Sequence, residues 1–333
     1  MEKVKRERWA MNPFLDWCFK HMFGTEESKP NLIGFLNLML MPQSPIVDLE
    51  FMNNESLPVS RDHKGCVFDI ICKDTNDDRF LIEVQTSQAV NIVERIIYYT
   101  CRLMDRMGKR GSEWDYKDIK RVYTICLMDF TFESNPKLRR DVQLCDIDEQ
   151  EVFSDKLNII LLQLPCLKAE SLGECNANYE FLLYLLKEMQ KGMKTIEQLK
   201  QEVAATKLPQ ETKELFYKVL DTADISTLSE KDQLRYESDL KNYMDTMSCI
   251  EFATIKGREE GLAEGHEKGL AEGHEKGLAE GLAEGTAKGL AEGISQGIEQ
   301  EKNAIAKSMK ANGIAIATIS ICTGLTVAEI EAL

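Results

Sequence analysis

Apolar residues near the amino terminus recur every three or four positions, which is the period of an amphipathic helix. The pattern covers residues 16–41 and is carried mainly by Phe and Leu side chains. Gly24 and Pro30 interrupt it in the middle, because both residue types break helices. The pattern therefore predicts two helices with a break at residues 24–30.

From residue 46 onward the apolar residues come in short runs rich in Val, Ile and Phe, which predict β-strands. Four such runs cover residues 46–52, 66–72, 80–85 and 121–129. Residues 74–78 (D-T-N-D-D) are a turn signal, so the second and third strands are expected to pair as a hairpin. Residues 142–144 and 159–164 are candidates for further strands.

Residues 88–107 separate the third and fourth predicted strands and return to the helical period. Their apolar side chains are predicted to share one helical face, and they are Ala89, Val93, Ile96, Ile97, Leu103, Met104 and Met107. A helix between two strands favours an α/β fold, with a mixed central sheet flanked by helices. Residues 1–168 are sufficient for one such domain.

The rest of the chain is predicted to be helical and divides into three segments. Residues 169–254 carry apolar stripes but no catalytic constellation, so a helical spacer or cap is expected. Residues 255–300 hold a four-residue glycine repeat. Residues 301–333 are predicted to form a small hairpin of two helices, 302–312 and 326–333, the second opened by a capping box.

Glycine occupies every fourth position from Gly257 to Gly297, and the residues between are mostly Leu, Ala, Glu and Lys. These residues favour helix, whereas each interior glycine costs a helix about 1 kcal/mol relative to Ala. Close approach of a second helix along the glycine row would offset that cost, and a four-residue period favours right-handed supercoiling. The repeat therefore predicts a homo-oligomeric coiled coil, with a disordered or frayed single helix as the alternative.

Charge and cysteine content narrow the function classes. Lys and Arg number 41 against 56 Asp and Glu, a formal net charge of −15. This argues against coating nucleic acid through the bulk field, but it leaves room for a local basic groove. The ten cysteines show no zinc-ligand spacing, and neither a secretory signal nor a membrane-length apolar run is found, which favours a cytoplasmic protein.

Two predicted strands carry polar residues at positions where apolar ones are expected. Asp69 lies in V-F-D-I-I, and Glu83 and Gln85 lie in I-E-V-Q. Glu83 and Gln85 share one face of their strand, and hairpin pairing would bring Asp69 beside Glu83. Two converging carboxylates repel each other unless a hard cation lies between them, and Mg²⁺ suits such a site. The alternative is a set of sheet-edge acids that face solvent.

The strings around these residues resemble a known family. G-C-V-F-D-I-I-C-K-D, R-F-L-I-E-V-Q and E-R-I-I-Y-Y look like the PD-(D/E)XK nuclease superfamily and, more narrowly, its recombination-promoting nuclease (Rpn) and transposase family. The opening L-D-W-C-F-K-H-M-F-G is similar to that family's D-x-x-F-K-x-x-F-G signature, carried by Asp16, Phe19, Lys20, Phe23 and Gly24. The resemblance is strong over about the first 130 residues and holds in style for the tail, whereas residues 176–253 resemble nothing that we can name.

The resemblance implies a restriction-endonuclease-like core in which Asp69 and Glu83 are metal ligands. Gln85 stands where the superfamily usually has Lys, so it would position the attacking water by hydrogen bonds without supplying charge. A further acid would complete the site, and Glu50 and Glu55 are the candidates.

The helix that follows the acids offers a second candidate surface. Arg95, Tyr99, Arg102 and Arg106 follow one another at spacings of four, three and four, and they are predicted to form one face. Guanidinium groups flanking a ring would bind DNA phosphates and stack against a sugar or base. The alternative is a solvated helix face.

These features predict a Mg²⁺-dependent DNA endonuclease, or a transposase-like phosphodiester hydrolase, that acts in DNA recombination or mobile-element processing. The alternative, from a different class, is a catalytically weak nuclease fold that serves as an oligomerising interaction module. The missing lysine and the negative net charge favour the alternative, whereas the intact acid pair and the arginine face favour the enzyme.

Overall fold

The computed structural model of the chain describes residues 8–53, 55–56, 66–67, 69–86, 91–108, 115–132 and 134–333. For residues 55, 56, 66 and 67 it describes the backbone alone. The chain forms two compact units, Met1–Thr246 and Met247–Leu333. Within the described ranges, no helix combines the length and the apolar character that a membrane crossing requires.

Helices and strands are numbered in chain order. The helices are α1 (Asp16–Phe23), α2 (Lys29–Leu40), α3 (Ile92–Asp105), α4 (Asn178–Lys191), α5 (Ile196–Ala205), α6 (Gln210–Thr222), α7 (Glu230–Ala311), α8 (Ile316–Thr323) and α9 (Val327–Ala332). The strands are β1 (Leu49–Phe51), β2 (Glu55–Ser56), β3 (Cys66–Val67), β4 (Ile70–Asp74), β5 (Arg79–Gln85), β6 (Val122–Met128), β7 (Arg139–Cys145) and β8 (Val152–Gln163).

A six-stranded mixed sheet, in the order β1-β4-β5-β6-β8-β7, forms the centre of the first unit. β5 lies parallel to β6 and β6 parallel to β8, whereas β4 runs antiparallel to β5. The predicted α/β class and the predicted hairpin of β4 and β5 are therefore confirmed. The carboxylate of Asp74 holds the hairpin turn, because it accepts hydrogen bonds from the backbone N–H groups of Asn76 and Asp78.

The strand predicted at residues 66–72 is not continuous. Cys66–Val67 form β3, which pairs with β2 in a separate two-stranded sheet, and β4 begins at Ile70, directly after Asp69. The β4–β5 ladder ends at the pair of Ile70 and Ile82, and beyond it the N–H of Val84 donates to the Asp69 carboxylate. The prediction of one continuous strand is therefore wrong, and Asp69 contacts β5 through its side chain where the ladder ends.

Alternate side chains of β5 point into two different cores. Phe80 and Ile82 lie in a large cluster that also contains buried residues of α1, α2, α4, α5 and α6. Leu81 lies in a smaller cluster with Leu103 of α3. The large core is thus continuous across residue 168, where the sequence predicts a domain boundary.

The buried stripe of α3 agrees only in part with the predicted one, since Ile96, Leu103 and Met107 are buried as expected. Its buried residues are Ile92, Ile96, Thr100 and Leu103. Val93 and Ile97, which the pattern places on the apolar face, are 41% and 47% exposed. Thr100 takes the middle of the stripe because its hydroxyl lies 2.8 Å from that of Thr124 on β6 and donates to the carbonyl of Ile96. A pattern of apolar residues alone cannot predict this stripe, because one of its buried members is the polar residue Thr100.

The second unit begins within α7, a single helix of 82 residues that contains the whole glycine repeat. Residues 302–311 of the helix predicted at 302–312 are the last part of α7, and the pattern does not predict α8. Ala306, Ile319 and Ile330 form a small core between α7, α8 and α9. The predicted hairpin of two helices is therefore a set of three helical segments. The predicted capping box is present, with Thr326 as the N-cap of α9.

Replacing Thr100 by Val removes the hydroxyl partner of Thr124 from the buried contact between α3 and β6. We expect Thr100→Val to lower the free energy of unfolding by about 1–3 kcal/mol, the cost of leaving a buried polar group unsatisfied. The double variant Thr100→Val/Thr124→Val should recover part of that loss, because both polar groups are gone. Chemical denaturation of Thr100→Val, Thr124→Val and the double variant measures the coupling, and simply additive losses would contradict it.

Candidate active site

Asp69 and Glu83 lie opposite each other where the β4–β5 ladder ends. Glu83 is only 4% exposed, and its Oε1 accepts a hydrogen bond of 3.4 Å from the backbone N–H of Asp69. In return, Oδ2 of Asp69 accepts a hydrogen bond of 2.8 Å from the backbone N–H of Val84. The hairpin thus brings the two carboxylates together, and each one is held by a backbone group beside the other.

Burial raises the pKa of both carboxyl groups. For Glu83, removal from water is the largest cause and the charge of Asp69 is the second. For Asp69, removal from water again dominates, while the hydrogen bond from Val84 and the charge of Lys20 oppose the rise in pKa. The two acids therefore hold protons more tightly than exposed carboxyls do, because removal from water outweighs the hydrogen bonds and cations that favour their charged forms.

Gln85 and Arg95 are linked to Glu83 by two successive hydrogen bonds. Nε2 of Gln85 donates to Oε2 of Glu83 at 3.2 Å, and Nη2 of Arg95 donates to Oε1 of Gln85 at 2.7 Å. The same Nη2 lies 3.9 Å from Oε2 of Glu83. Arg95, predicted as a phosphate-binding residue, is therefore already part of the acid site.

Two residues of α1 also reach the acids. Nζ of Lys20 lies 2.6 Å from Oδ1 of Asp16 and 3.9 Å from Oδ1 of Asp69. The sequence identifies both α1 residues only as parts of a family signature, without a place in the site. The sequence does contain one signal that could have found them. Asp16 and Lys20 are four residues apart, so their side chains lie on the same face of a short and mostly apolar helix.

The other predicted residues lie away from the acids or along α3. Glu50, a candidate for the further acid, is an exposed partner of Lys73 at 3.1 Å, and the side chain of Glu55 is outside the described residues. The guanidinium of Arg95 lies over the ring of Tyr99, 5.5 Å from its centroid. Arg102 pairs with Asp105 at 3.2 Å, and Arg106 donates to the carbonyl of Asn53.

The donor set fits a hard divalent cation. Asp69 and Glu83 offer carboxylate oxygens. Burial raises both of their pKa values, and the charge of Asp69 further raises that of Glu83, so a bound cation would stabilise the ionised pair. Mg²⁺ is commonly bound by one or two carboxylates while it keeps several waters. In the part of the chain that is described, no three His, Cys, Asp or Glu side chains form a complete cage for a metal. These two acids are therefore the residues that would hold such an ion.

A mixed α/β sheet that brings two strand carboxylates together, with a polar residue two positions beyond the second, is the architecture of the PD-(D/E)XK nuclease class. The chain matches the family model described as PD-(D/E)XK nuclease family transposase over residues 13–253, and it belongs to that family. The match extends through α4, α5 and α6, where the sequence motifs gave no resemblance. Comparison with curated proteins and with solved structures gives no match.

The pKa shift of Glu83 predicts how the stability of the metal-free protein depends on pH. Folding raises the pKa of Glu83 to about 8. Between the ordinary glutamate pKa and this value the folded protein binds more protons than the unfolded chain, so its stability must fall as pH rises. We expect Glu83→Gln to reduce the fall in Tm between about pH 5 and about pH 8, in buffer containing a chelator. Glu50→Gln, at an exposed site, is the matched control and should keep the wild-type slope. Identical slopes for all three proteins would contradict the prediction.

Proposed function

We propose that this protein is a metal-dependent DNA endonuclease that hydrolyses phosphodiester bonds with Mg²⁺ held by Asp69 and Glu83. The observation that carries the proposal is the pair of carboxylates, Glu83 buried and Asp69 half-buried, at the end of the β4–β5 ladder. Membership of the nuclease family supports DNA as the substrate. We further propose a role in DNA recombination or in the processing of mobile elements, and the cytoplasm as its compartment.

Gln85 is proposed to hold the attacking water. A glutamine amide has two N–H donors and an oxygen with two lone pairs. One donor is used on Glu83 and one lone pair on Arg95, and these two contacts fix the plane of the amide. The remaining donor and lone pair are left to bind water. The amide carries no charge, so it orients the water without attracting the phosphate.

When bound, a divalent cation would supply positive charge to the phosphate and lower the pKa of the attacking water. The contribution of the chain is to hold Asp69 and Glu83 in a converging arrangement before substrate arrives. Both carboxylates are well placed for this, because backbone N–H groups fix one oxygen of each.

Arg95, Tyr99 and Arg102 are proposed to contact the DNA backbone along α3. The stacked guanidinium of Arg95 lies at the acid end of the helix, and Arg102 lies two turns further along. Arg102 is paired with Asp105, so a phosphate bound there would exchange one anionic partner for another. With a net charge of −15 for the whole chain, attraction to DNA depends on such local contacts.

The second candidate function is an interaction module built on a catalytically weak nuclease fold. The uncharged Gln85 favours it, because the acids receive no positive charge from the position that usually supplies it. In that case the acid pair would be a remnant, and the repeat in α7 would carry the function.

Cleavage of supercoiled plasmid distinguishes the two functions. We expect nicking that requires Mg²⁺, and a loss of at least about 100-fold in Asp69→Asn and in Glu83→Gln, since each removes a charged ligand. The amide of Asp69→Asn retains an oxygen for the N–H of Val84, which protects the fold. Glu50→Gln is the matched control and should keep the wild-type rate. Wild-type rates in both site variants would show that the acid pair does not carry the cleavage, and a wild-type protein without Mg²⁺-dependent nicking would favour the interaction module.

We propose that the glycine repeat joins copies of this chain into a homo-oligomer. A Cβ atom added to any glycine from Gly257 to Gly297 would meet nothing within 4 Å. The described part of the chain therefore contains no contact that requires glycine there, although each glycine weakens the helix by about 1 kcal/mol. Leu262, Leu270 and Leu278 beside the row are exposed as well. A second helix would cover both the glycines and the leucines.

Replacing every glycine of the row by Ala separates helix strength from helix contact. Alanine strengthens a single helix by about 1 kcal/mol per position, but it adds a methyl group where a second helix would approach. We expect higher helicity by circular dichroism together with a smaller mass by light scattering. Deletion of residues 257–297 should reduce the mass in the same way, with cleavage per chain largely unchanged. A monomeric wild-type protein at tens of micromolar would contradict the proposal.

A further inference from the structure

A cation from another part of the chain, Lys20 of α1, lies close to the pair of acids formed by Asp69 and Glu83. Position 85 of β5 carries an amide, so no positive charge comes from the strand itself. Lys20 reaches the pair from α1 instead, with Nζ 3.9 Å from Oδ1 of Asp69. This is the oxygen of Asp69 that the backbone of Val84 does not occupy.

The position of Lys20 is set by the core below it. Phe19 and Phe23 of α1 are almost completely buried in the large cluster that also holds Ile70 and Ile82 of the hairpin. Their anchoring fixes the rotation of the helix and leaves Lys20 at the start of β4. Asp16, one turn earlier, holds the ammonium group at 2.6 Å.

Lys20 and Arg95 differ in how firmly they are held. Arg95 donates to Gln85 at 2.7 Å and lies over the ring of Tyr99, so moving it would break both contacts. Lys20 has a side chain that is 30% exposed and a main partner, Asp16, that is 63% exposed. A flexible ammonium with exposed partners can turn toward an incoming anion at small cost, whereas a bidentate or stacked guanidinium cannot.

We propose that Lys20 supplies the positive charge that position 85 lacks, by donating hydrogen bonds to a non-bridging oxygen of the scissile phosphate, with Asp16 as its positioning residue. This inference rests on the proposed nuclease function. In the step itself, the water oxygen bonds to phosphorus as one phosphorus–oxygen ester bond breaks, and the proton lost by the water is taken up by the departing oxygen or by solvent. Lys20 forms no covalent bond and keeps its proton, because its task is to stabilise the charge that builds up on the phosphate.

A rescue experiment tests this role. We expect Lys20→Met to lower the single-turnover rate of DNA cleavage by about 100-fold to 1,000-fold, the usual effect of removing one preorganised donor from a transition state. Lys20→Arg should retain a larger part of the rate, because the charge remains. Introducing the cation on the strand, as Lys20→Met/Gln85→Lys, should raise the rate at least about tenfold above Lys20→Met. A purely structural role for Lys20 gives no reason for rescue from position 85.

Lys29 provides the matched control. It is a half-buried lysine of the neighbouring helix α2 and is ion-paired with Glu26 at 2.9 Å and with Asp48 at 3.6 Å. Lys29→Met should cleave at the wild-type rate. A Lys20→Met rate within about twofold of wild type, or a double variant no faster than Lys20→Met, would overturn the inference.

Binding of Mn²⁺ without DNA, followed by calorimetry, gives a readout that does not depend on cleavage. Removing an ammonium group that close to Asp69 should tighten Mn²⁺ binding by at least about threefold, because one repelling charge is gone. Loss of Mn²⁺ binding in Lys20→Met would show that Lys20 only builds the acid site, and it would overturn the inference while leaving the nuclease proposal intact. A wild-type protein that neither binds Mn²⁺ nor cleaves DNA overturns both.

Discussion

A carboxylate buried inside an apolar sheet destabilises a fold unless neighbouring groups donate hydrogen bonds to it or balance its charge. Glu83 is in that situation, and the local structure follows from the way its needs are met. The backbone of Asp69, the amide of Gln85 and the guanidinium of Arg95 all turn toward it. These contacts lie where the β4–β5 ladder ends, and one of them comes from the first turn of α3. The site is therefore assembled around one buried carboxyl group, that of Glu83. Helices α1 and α3 both contribute side chains to it, at the ends of β4 and β5.

The balance of charge bears on whether this fold is an enzyme or an interaction module. Asp16, Asp69 and Glu83 bring three carboxylates, while Lys20 and Arg95 bring two cations. A fold retained only for its shape would gain stability if one of the buried acids were replaced by an apolar residue. The arrangement instead keeps the acids together in a site removed from water, which favours the proposed nuclease over the interaction module.

Sequence reasoning succeeds here where contacts are local and fails where they cross layers. The hairpin and the meeting of Asp69 with Glu83 follow from alternation and a turn, which act within about twenty residues. The place of Lys20 depends on how α1 packs against the opposite side of the sheet, and no periodicity in one helix contains that information. Thr100 is a similar case, because its burial depends on one hydroxyl of β6.

The glycine row of α7 is strictly periodic, and this regularity has a consequence for the helix contact that we propose. A perfectly periodic row looks the same after each shift of four residues, so it favours contact without fixing alignment. Alignment between two helices must come from the places where the repeat changes, in the way that one polar residue sets the register of a coiled coil. His266, His274 and Thr286 interrupt the run of leucines that follow the glycines. These three positions, more than the glycines, would decide whether copies stop at a closed pair or slide into an open chain.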